Sequence, residues 1–384
     1  MIPGSNASLV VSTVRDQGLR DRFVRLCEIA SPTGSERAMA DAVRAELKAL
    51  GLEVAEDHAA EPARAGAGNL IARLPGSGTG WVSFFAHLDT VPHEGQIDVE
   101  LVDGVFRSAG DTILGADNKA AVAVLIALAT RAVKSGPPPA GLELVFTVAE
   151  EDGLRGAREL DVSSLRAPFG YVLDHASPIG EVITRAPSYH RVTAHFEGLE
   201  AHAGIRPEDG HSAIEAAAEA VTAMQLGRVD PGTTTNAGVI HGGTASNVVA
   251  GTCRLECEAR SLDDDAAVSA TQMLVDSCTR AASEGQCDVD IEVAQMFRGY
   301  KLAPSDPPLG VARAALTKCG HTPREVATGG GSDANALISQ GYPCLLLANG
   351  TEANHTPQES VAATRLEEML EVCEAIVHGV GARA

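Results

Sequence analysis

The sequence predicts an α/β fold: a mainly parallel sheet covered by helices, interrupted by a smaller two-layer unit of order βαββαβ. Short apolar runs alternate with helical patterns over residues 1–187, the rhythm changes over 188–296, and the first rhythm resumes over 297–384. At 384 residues the chain also exceeds the roughly 250–300 residues at which a single core stops growing, so a second core is expected.

Taken in order, "ERAMADAVRAELKA" has the spacing of an amphipathic helix and stops at Gly51. "WVSFFA", "LELVFTVA" and "FGYVL" are strand-length runs, apolar on both faces as central parallel strands are. "DNKAAVAVLIALAT" opens a largely buried helix. In the middle segment, "RVTAHFEG" reads as strand, "SAIEAAAEAVTAM" as helix, "TTNAGVI" and "TCRLECEARS" as strands, "AAVSATQMLVDSCTRAASEG" as helix and "CDVDIEVAQ" as strand. The flanking "TRAPSYH" and "FRGYKLAPSDPP" carry the Pro, Gly and polar residues of inter-domain connections. "REVATG", "PCLLLANG" and a helix through "RLEEMLEVCEAIV" complete the larger domain.

Hydrophobic content of 45% and charged content of 21% describe a globular protein, and an aromatic content of 3% leaves the core to Ala, Val, Leu and Ile. A net charge of −21 repels phosphate backbones and anionic headgroups, which argues against nucleic-acid or membrane partners. The N-terminal "MIPGSNASLVVSTVRDQGLRDRF" has no cationic stretch followed by a long apolar one, and no run reaches the roughly 18 apolar residues that span a bilayer. A cytoplasmic location is expected. Eight cysteines form no CxxC pair, and Cys253 and Cys257 share the apolar phase of one strand, so they read as packed thiols.

In an open α/β sheet, ligands bind beyond the carboxyl ends of the strands. "WVSFFA" is followed there by His87 and Asp89, "LELVFTVA" by Glu150 and Glu151, and "FGYVL" by Asp174; "PCLLLANG" leads to His355, and Asp117 starts the buried helix. So many acids beside two imidazoles call for divalent cations. The mixed donors suit zinc, with manganese or cobalt as alternatives, and are too many for one tetrahedral ion, which favours two ions bridged by a carboxylate. Two residues apart on a strand, His87 and Asp89 face one way, so Asp89 is placed to take the proton on the second ring nitrogen of His87. Of the neighbouring glutamates, one can hold a metal while the other takes a proton from activated water; spacing alone does not assign them.

Read together, "AHLDTVP", "GADNKAAVAVLI", "TVAEEDGLRGA", "VLDHASPIG" and "EANHTPQES" resemble the M20 family of di-zinc metallopeptidases and amidohydrolases along nearly the whole chain. The resemblance implies a zinc-exopeptidase-like catalytic domain with an inserted lid, the latter commonly a dimerisation domain, and hence a homodimer. By motif it implies that His87 binds one metal, Asp117 bridges both, Glu151 binds the second, and Asp174 and His355 complete the set. Glu150 becomes the general base, Asp89 the orienting carboxylate, and the bond from Asp117 to Asn118 a cis peptide. In the lid, "HFEGLEAHAGIRPEDGHSAIEAA" resembles the segment whose histidine, here His202, stabilises the oxyanion, often across the dimer. "HGGTASNVVAG" and "EARSLD" match segments that place Asn247 and Arg260 on substrate, and "TGGGSDANAL", which lacks the GK[ST] of a phosphate loop, puts Gly330 and Asn335 there too.

Within the family the sequence looks most like the peptidase T branch, which removes the N-terminal residue of tripeptides. That branch carries an Arg directly before the glycines, where this chain has Thr328 and an extra Gly. The expected function is a metallo-exopeptidase acting on short peptides. Alternatives are a carboxypeptidase or N-acyl amino acid amidohydrolase of another branch, or an inactive peptide-binding protein; the complete set of base, bridge and ligands argues against the last.

Overall fold

The computed structural model of the protein describes residues 17–382, so the N-terminal stretch read above for a targeting segment lies largely outside the described residues. The described residues open with α1 (Gln17–Cys27), α2 (Arg37–Ala49), β1 (Glu53–Glu56), β2 (Leu70–Leu74) and β3 (Trp81–His87). A hairpin of β4 (Val99–Val102) and β5 (Val105–Ser108) leads to the long α3 (Ala116–Ser135), then β6 (Gly141–Thr147), the short α4 (Arg155–Glu159), β7 (Gly170–His175) and β8 (Glu181–Ala186). The middle segment supplies β9 (Ser188–Glu197), α5 (Ala213–Ala223), β10 (Gly227–Asp230), β11 (Thr233–Gly242), β12 (Thr252–Ser261), α6 (Asp264–Glu284) and β13 (Asp288–Phe297). The return carries β14 (Tyr300–Lys301), α7 (Pro307–Lys318), β15 (Arg324–Ala327), α8 (Asp333–Ser339), β16 (Cys344–Ala348), β17 (Thr351–Glu352), β18 (Ser360–Ala362) and α9 (Ala363–Gly381).

The large sheet runs β1-β2-β6-β3-β7-β16-β8-β14, with β15 beside β8. Its centre, β6-β3-β7-β16, is parallel, as the doubly apolar strands predict; β1, β2 and β14 pair antiparallel at the edges, so the sheet is mixed. Alternation along β3 explains the two layers. Phe84 enters the core beneath α1, α3, α7 and α9, while its neighbour Phe85 enters the opposite one with Val145, Val172, Ala334 and Leu337. Alanine is small enough to let α3 sink fully: residues 120–129 are at most 3% exposed.

In the middle segment a five-stranded antiparallel sheet, β10-β11-β12-β9-β13, packs one face on α5 and α6. Val192, Ala194, Phe196, Leu255 and Leu274 form its separate core, and Cys253 and Cys257 lie in it as their alternation predicts. All eight thiols are free. Several elements escaped the sequence reading, among them α1, β1, β2, β8, α7, strand β10 and a small sheet ordered β17-β18-β5-β4. The backbone crossings between the two large sheets, near Pro187 and Arg298, are both held by Asn335, whose amide donates to the two carbonyls. No helix among the described residues is long and apolar enough to cross a membrane.

Candidate metal centre and active site

His87 ends β3 directly opposite Thr147, the last residue of β6, so the segments leaving both strands meet at one rim. Parallel β7 delivers Asp174 to the same rim, and the loop between β17 and β18 brings His355. Ligand atoms of His87, Asp117 and Asp174 lie within 4.8 Å of one another, as do those of Asp117, Glu151 and His355. The two trios share Asp117. Its Oδ1 is 3.1 Å from His87 Nε2, and its Oδ2 is 3.2 Å from His355 Nε2, so each oxygen faces a different imidazole, as a bridging carboxylate requires. Asp174 Oδ1 stands 3.3 Å from His87 Nε2, and Glu151 Oε1 3.0 Å from His355 Nε2. Glu150 groups with His87 and Glu151.

Local backbone geometry serves this gathering. Ala149 has φ 49° immediately before the two glutamates, and His355 itself has φ 65°, left-handed conformations that non-glycine residues adopt at a cost and that cluster at functional sites. The peptide bond between Asp117 and Asn118 is cis, matching the family resemblance.

Asp89 acts on His87 with two groups. His87 Nδ1 lies 2.9 Å from the Asp89 backbone carbonyl and 3.5 Å from its carboxylate Oδ1, the group expected to orient the ring. The carboxylate also accepts the backbone N–H groups of Glu150 (3.0 Å) and Glu151 (3.2 Å) and the hydroxyl of Thr33 (2.7 Å). Asp89 therefore fixes the His87 tautomer through its main chain, leaving Nε2 to the acids, and fixes the turn of the two glutamates through its side chain.

The electrostatics of the cluster favour cations. Burial pushes Asp174 up to about 8, and burial together with the charge of Asp174 pushes Glu150 well above the carboxylate range. Burial also raises Glu151, outweighing its bond to His355. Burial would lower His87, yet the charge of Asp174 and hydrogen bonds with Asp117, Asp174 and Asp89 lift it well above its ordinary value. Hydrogen bonds with Asp117 and then Glu151 carry His355 to about 10. For Asp117, burial works upward but the bonds to both histidines win and hold it below its usual value. Acids that draw protons onto two imidazoles would be satisfied better by a divalent cation in each trio, and mixed nitrogen and oxygen donors suit zinc rather than calcium or magnesium. Glu151 Oε1 is buried with the His355 ring nitrogen as its neighbour at 3.0 Å, the pairing of carboxylate and imidazole that a shared cation would draw together.

The expected substrate residues fare unevenly. Arg260 reaches across to the glycine turn, with Nη1 3.5 Å from the Gly329 carbonyl; its Nε and Nη2 lie 3.2 and 3.1 Å from the Glu258 carboxylate, and it stacks 4.2 Å over the Tyr189 ring. Gly330 lies on the same turn, donating to the Thr328 hydroxyl. His202 and Asn247 are exposed in the middle segment, beside one another through the His202–Val248 bridge, and neither joins the metal trios. Asn335, expected on substrate, requires a correction: it is buried, accepts from Ser332 N–H in a capping box, and donates its amide to the Pro187 and Arg298 carbonyls, so its polar atoms hold the crossings.

Three contributors escaped the sequence reading. Thr33 supports Asp89, Asn354 donates to Asp117 Oδ2 at 2.8 Å, and Glu359 binds the backbone around Asp117. Asn354 and Glu359 flank His355 within the quoted "EANHTPQES", which was their one available signal.

The model of peptidase family M20/M25/M40 matches residues 84–379. The uncharacterized protein YqjE of Bacillus subtilis is 35% identical over 367 residues, spanning 95% of this chain and 98% of its own. Aminopeptidase PepT from Bacillus cereus superposes with a TM-score of 0.82 at 37% identity, covering 94% of this chain and 98% of that one. A tripeptidase from Staphylococcus aureus gives a TM-score of 0.88 at 33% identity, covering 96% and 99%. With the rim chemistry and the interrupted sheet in agreement with these matches, the chain is a peptidase enzyme belonging to family M20.

Proposed function

We propose that the protein is a two-metal exopeptidase that releases the N-terminal residue of tripeptides. The observation that carries this reading is Asp117, shared by two trios of donors with one oxygen toward each histidine. His87, Asp117 and Asp174 would hold one cation, and Asp117, Glu151 and His355 the other. Zinc there, or manganese or cobalt, would supply a lowered pKa for water and polarisation of the scissile carbonyl. Glu150 takes the proton from the attacking water and returns it to the leaving amine. Asp89 keeps Glu150 and Glu151 pointed apart through their N–H groups, and Arg260 with the Gly330 turn orients the peptide.

Residues 188–296 act as a lid between the parts 1–187 and 297–384, and pair two copies of the chain as a homodimer in the cytoplasm. His202 and Asn247, exposed in this chain, reach substrate when the lid closes or across that dimer, where His202 stabilises the oxyanion. Names of the two solved relatives, an aminopeptidase and a tripeptidase, support amine-end release. Thr328, where the peptidase T branch has Arg, keeps a second reading in view, a carboxypeptidase or N-acyl amino acid amidohydrolase. A panel of free tripeptides, N-acetylated tripeptides and N-acyl amino acids, assayed with zinc and with chelator, separates them. Chelator-sensitive cleavage confined to free-amine tripeptides is expected; faster cleavage of the N-acylated substrates would replace this reading with the second.

A further inference from the structure

Asp117 stands at the centre of both trios, but its own helix does not fix it: its φ and ψ of −81° and 106° are non-helical. The segment leading to it, "TILGA", has no strand partner, so its backbone groups need acceptors from elsewhere. One side chain provides them. Glu359 is 1% exposed; its Oε2 accepts the N–H of Leu114 at 2.9 Å and of Gly115 at 2.8 Å, and its Oε1 accepts the N–H of Asp117 itself at 2.8 Å. Strand β18 seats Glu359, since Ser360, Val361 and Ala362 pair with Arg107, Phe106 and Val105 of β5. Four residues before Glu359 is His355, whose Nε2 faces Asp117 Oδ2 at 3.2 Å beside the Asn354 amide.

A single carboxylate thus ties the loop that carries Asp117 to the loop that carries His355. We propose that Glu359 is a positioning residue for the metal centre, holding the Asp117 backbone in register with the His355 loop so that the Asp117 carboxylate meets both histidines. This rests on reading the two trios as metal sites. The chemistry of the clamp is demanding, because three N–H groups divided between two oxygens require an acceptor on both sides. An amide of the same shape presents an NH2 group to one set of these donors, and either the Asp117 N–H or the pair from Leu114 and Gly115 loses its partner.

Glu36 provides an internal comparison. It too is fully buried and accepts two backbone N–H groups, from Gly34 at 2.8 Å and Gly66 at 2.6 Å, but it touches neither trio. Zinc affinity of the metal-free protein, measured by competition with a chromophoric chelator, is therefore compared for the parent, E359Q and E36Q, beside thermal melting of each. E359Q is expected to weaken zinc binding by about 10- to 100-fold, as loss of a group supporting a metal ligand does. E36Q is expected to lower the melting temperature while zinc affinity stays at the parent value. Should E359Q not fold, E359D carries the same comparison, keeping the charge but withdrawing it by one methylene. Parent-like zinc affinity in the Glu359 variant, or equal weakening by E36Q, would overturn the inference alone. A parent protein that binds no zinc would overturn the metal reading and this inference with it.

Discussion

Glu150 and Glu151 are neighbours in sequence with different surroundings. Asp89 holds both backbone N–H groups, after which Glu151 turns to His355 while Glu150 remains near His87. Substituting Glu150 by Gln preserves shape and removes the proton acceptor. Zinc content should stay at two per chain by metal analysis while kcat on tripeptides falls roughly 100- to 10,000-fold; parent-like turnover would move the base elsewhere. Asp117→Asn acts on the opposite quantity, because an amide cannot offer an anionic oxygen to each side, and zinc content should drop below two per chain. The sequence put the two glutamates after an apolar run and Asp117 at the start of the buried helix, and the structure brings their ligand atoms together, but sequence could not tell a side-chain oxygen from a main-chain one. That is why the nearest acceptor of His87 Nδ1, the Asp89 carbonyl, was not foreseen.

Among elements, those that bury whole faces were legible. β3, β6, β7, β16 and α3 are nearly continuous apolar runs, and β12 alternates strictly. The small sheet was not, because its strands have two to four residues and Glu100, Leu101 and Val102 of β4 are exposed, so no hydrophobic period marks them. Asn335 was misread for a related reason: its motif is glycine-rich, and composition does not reveal which way an amide faces. The glycine turn also yields a test of how the two sheets communicate. A Cβ on Gly331 would lie 2.1 Å from Phe297 Cζ, and Phe297 packs edge-on against Tyr189 at 5.3 Å, beneath Arg260. Gly331→Ala must therefore shift the ring and with it the platform of Arg260. KM for tripeptides should rise several-fold at unchanged zinc content, whereas Gly329→Ala, whose Cβ meets nothing within 4 Å, should leave KM close to the parent value. Equal kinetics for the two variants would sever the proposed link from turn to lid.

For the whole molecule, charge and architecture combine in one measurable consequence. The chain carries a net charge of −21, and the metal rim concentrates Asp117, Glu150, Glu151 and Asp174 on the large sheet, with no member of either trio drawn from the middle segment. Cations bound there stabilise the native state by mass action, about 4 kcal/mol per site at roughly 1,000 times Kd if the unfolded chain binds none. The large sheet also holds the molecule's one tryptophan, Trp81, on the same strand that ends at His87, so its fluorescence reports the part of the fold to which the ligands belong. Chelator should lower the melting midpoint followed by Trp81 emission, and stoichiometric zinc should restore it. If metal analysis confirmed removal and the midpoint did not move, the four acids would be tolerating one another without cations, and protonated His87 and His355 would suffice to hold the rim together.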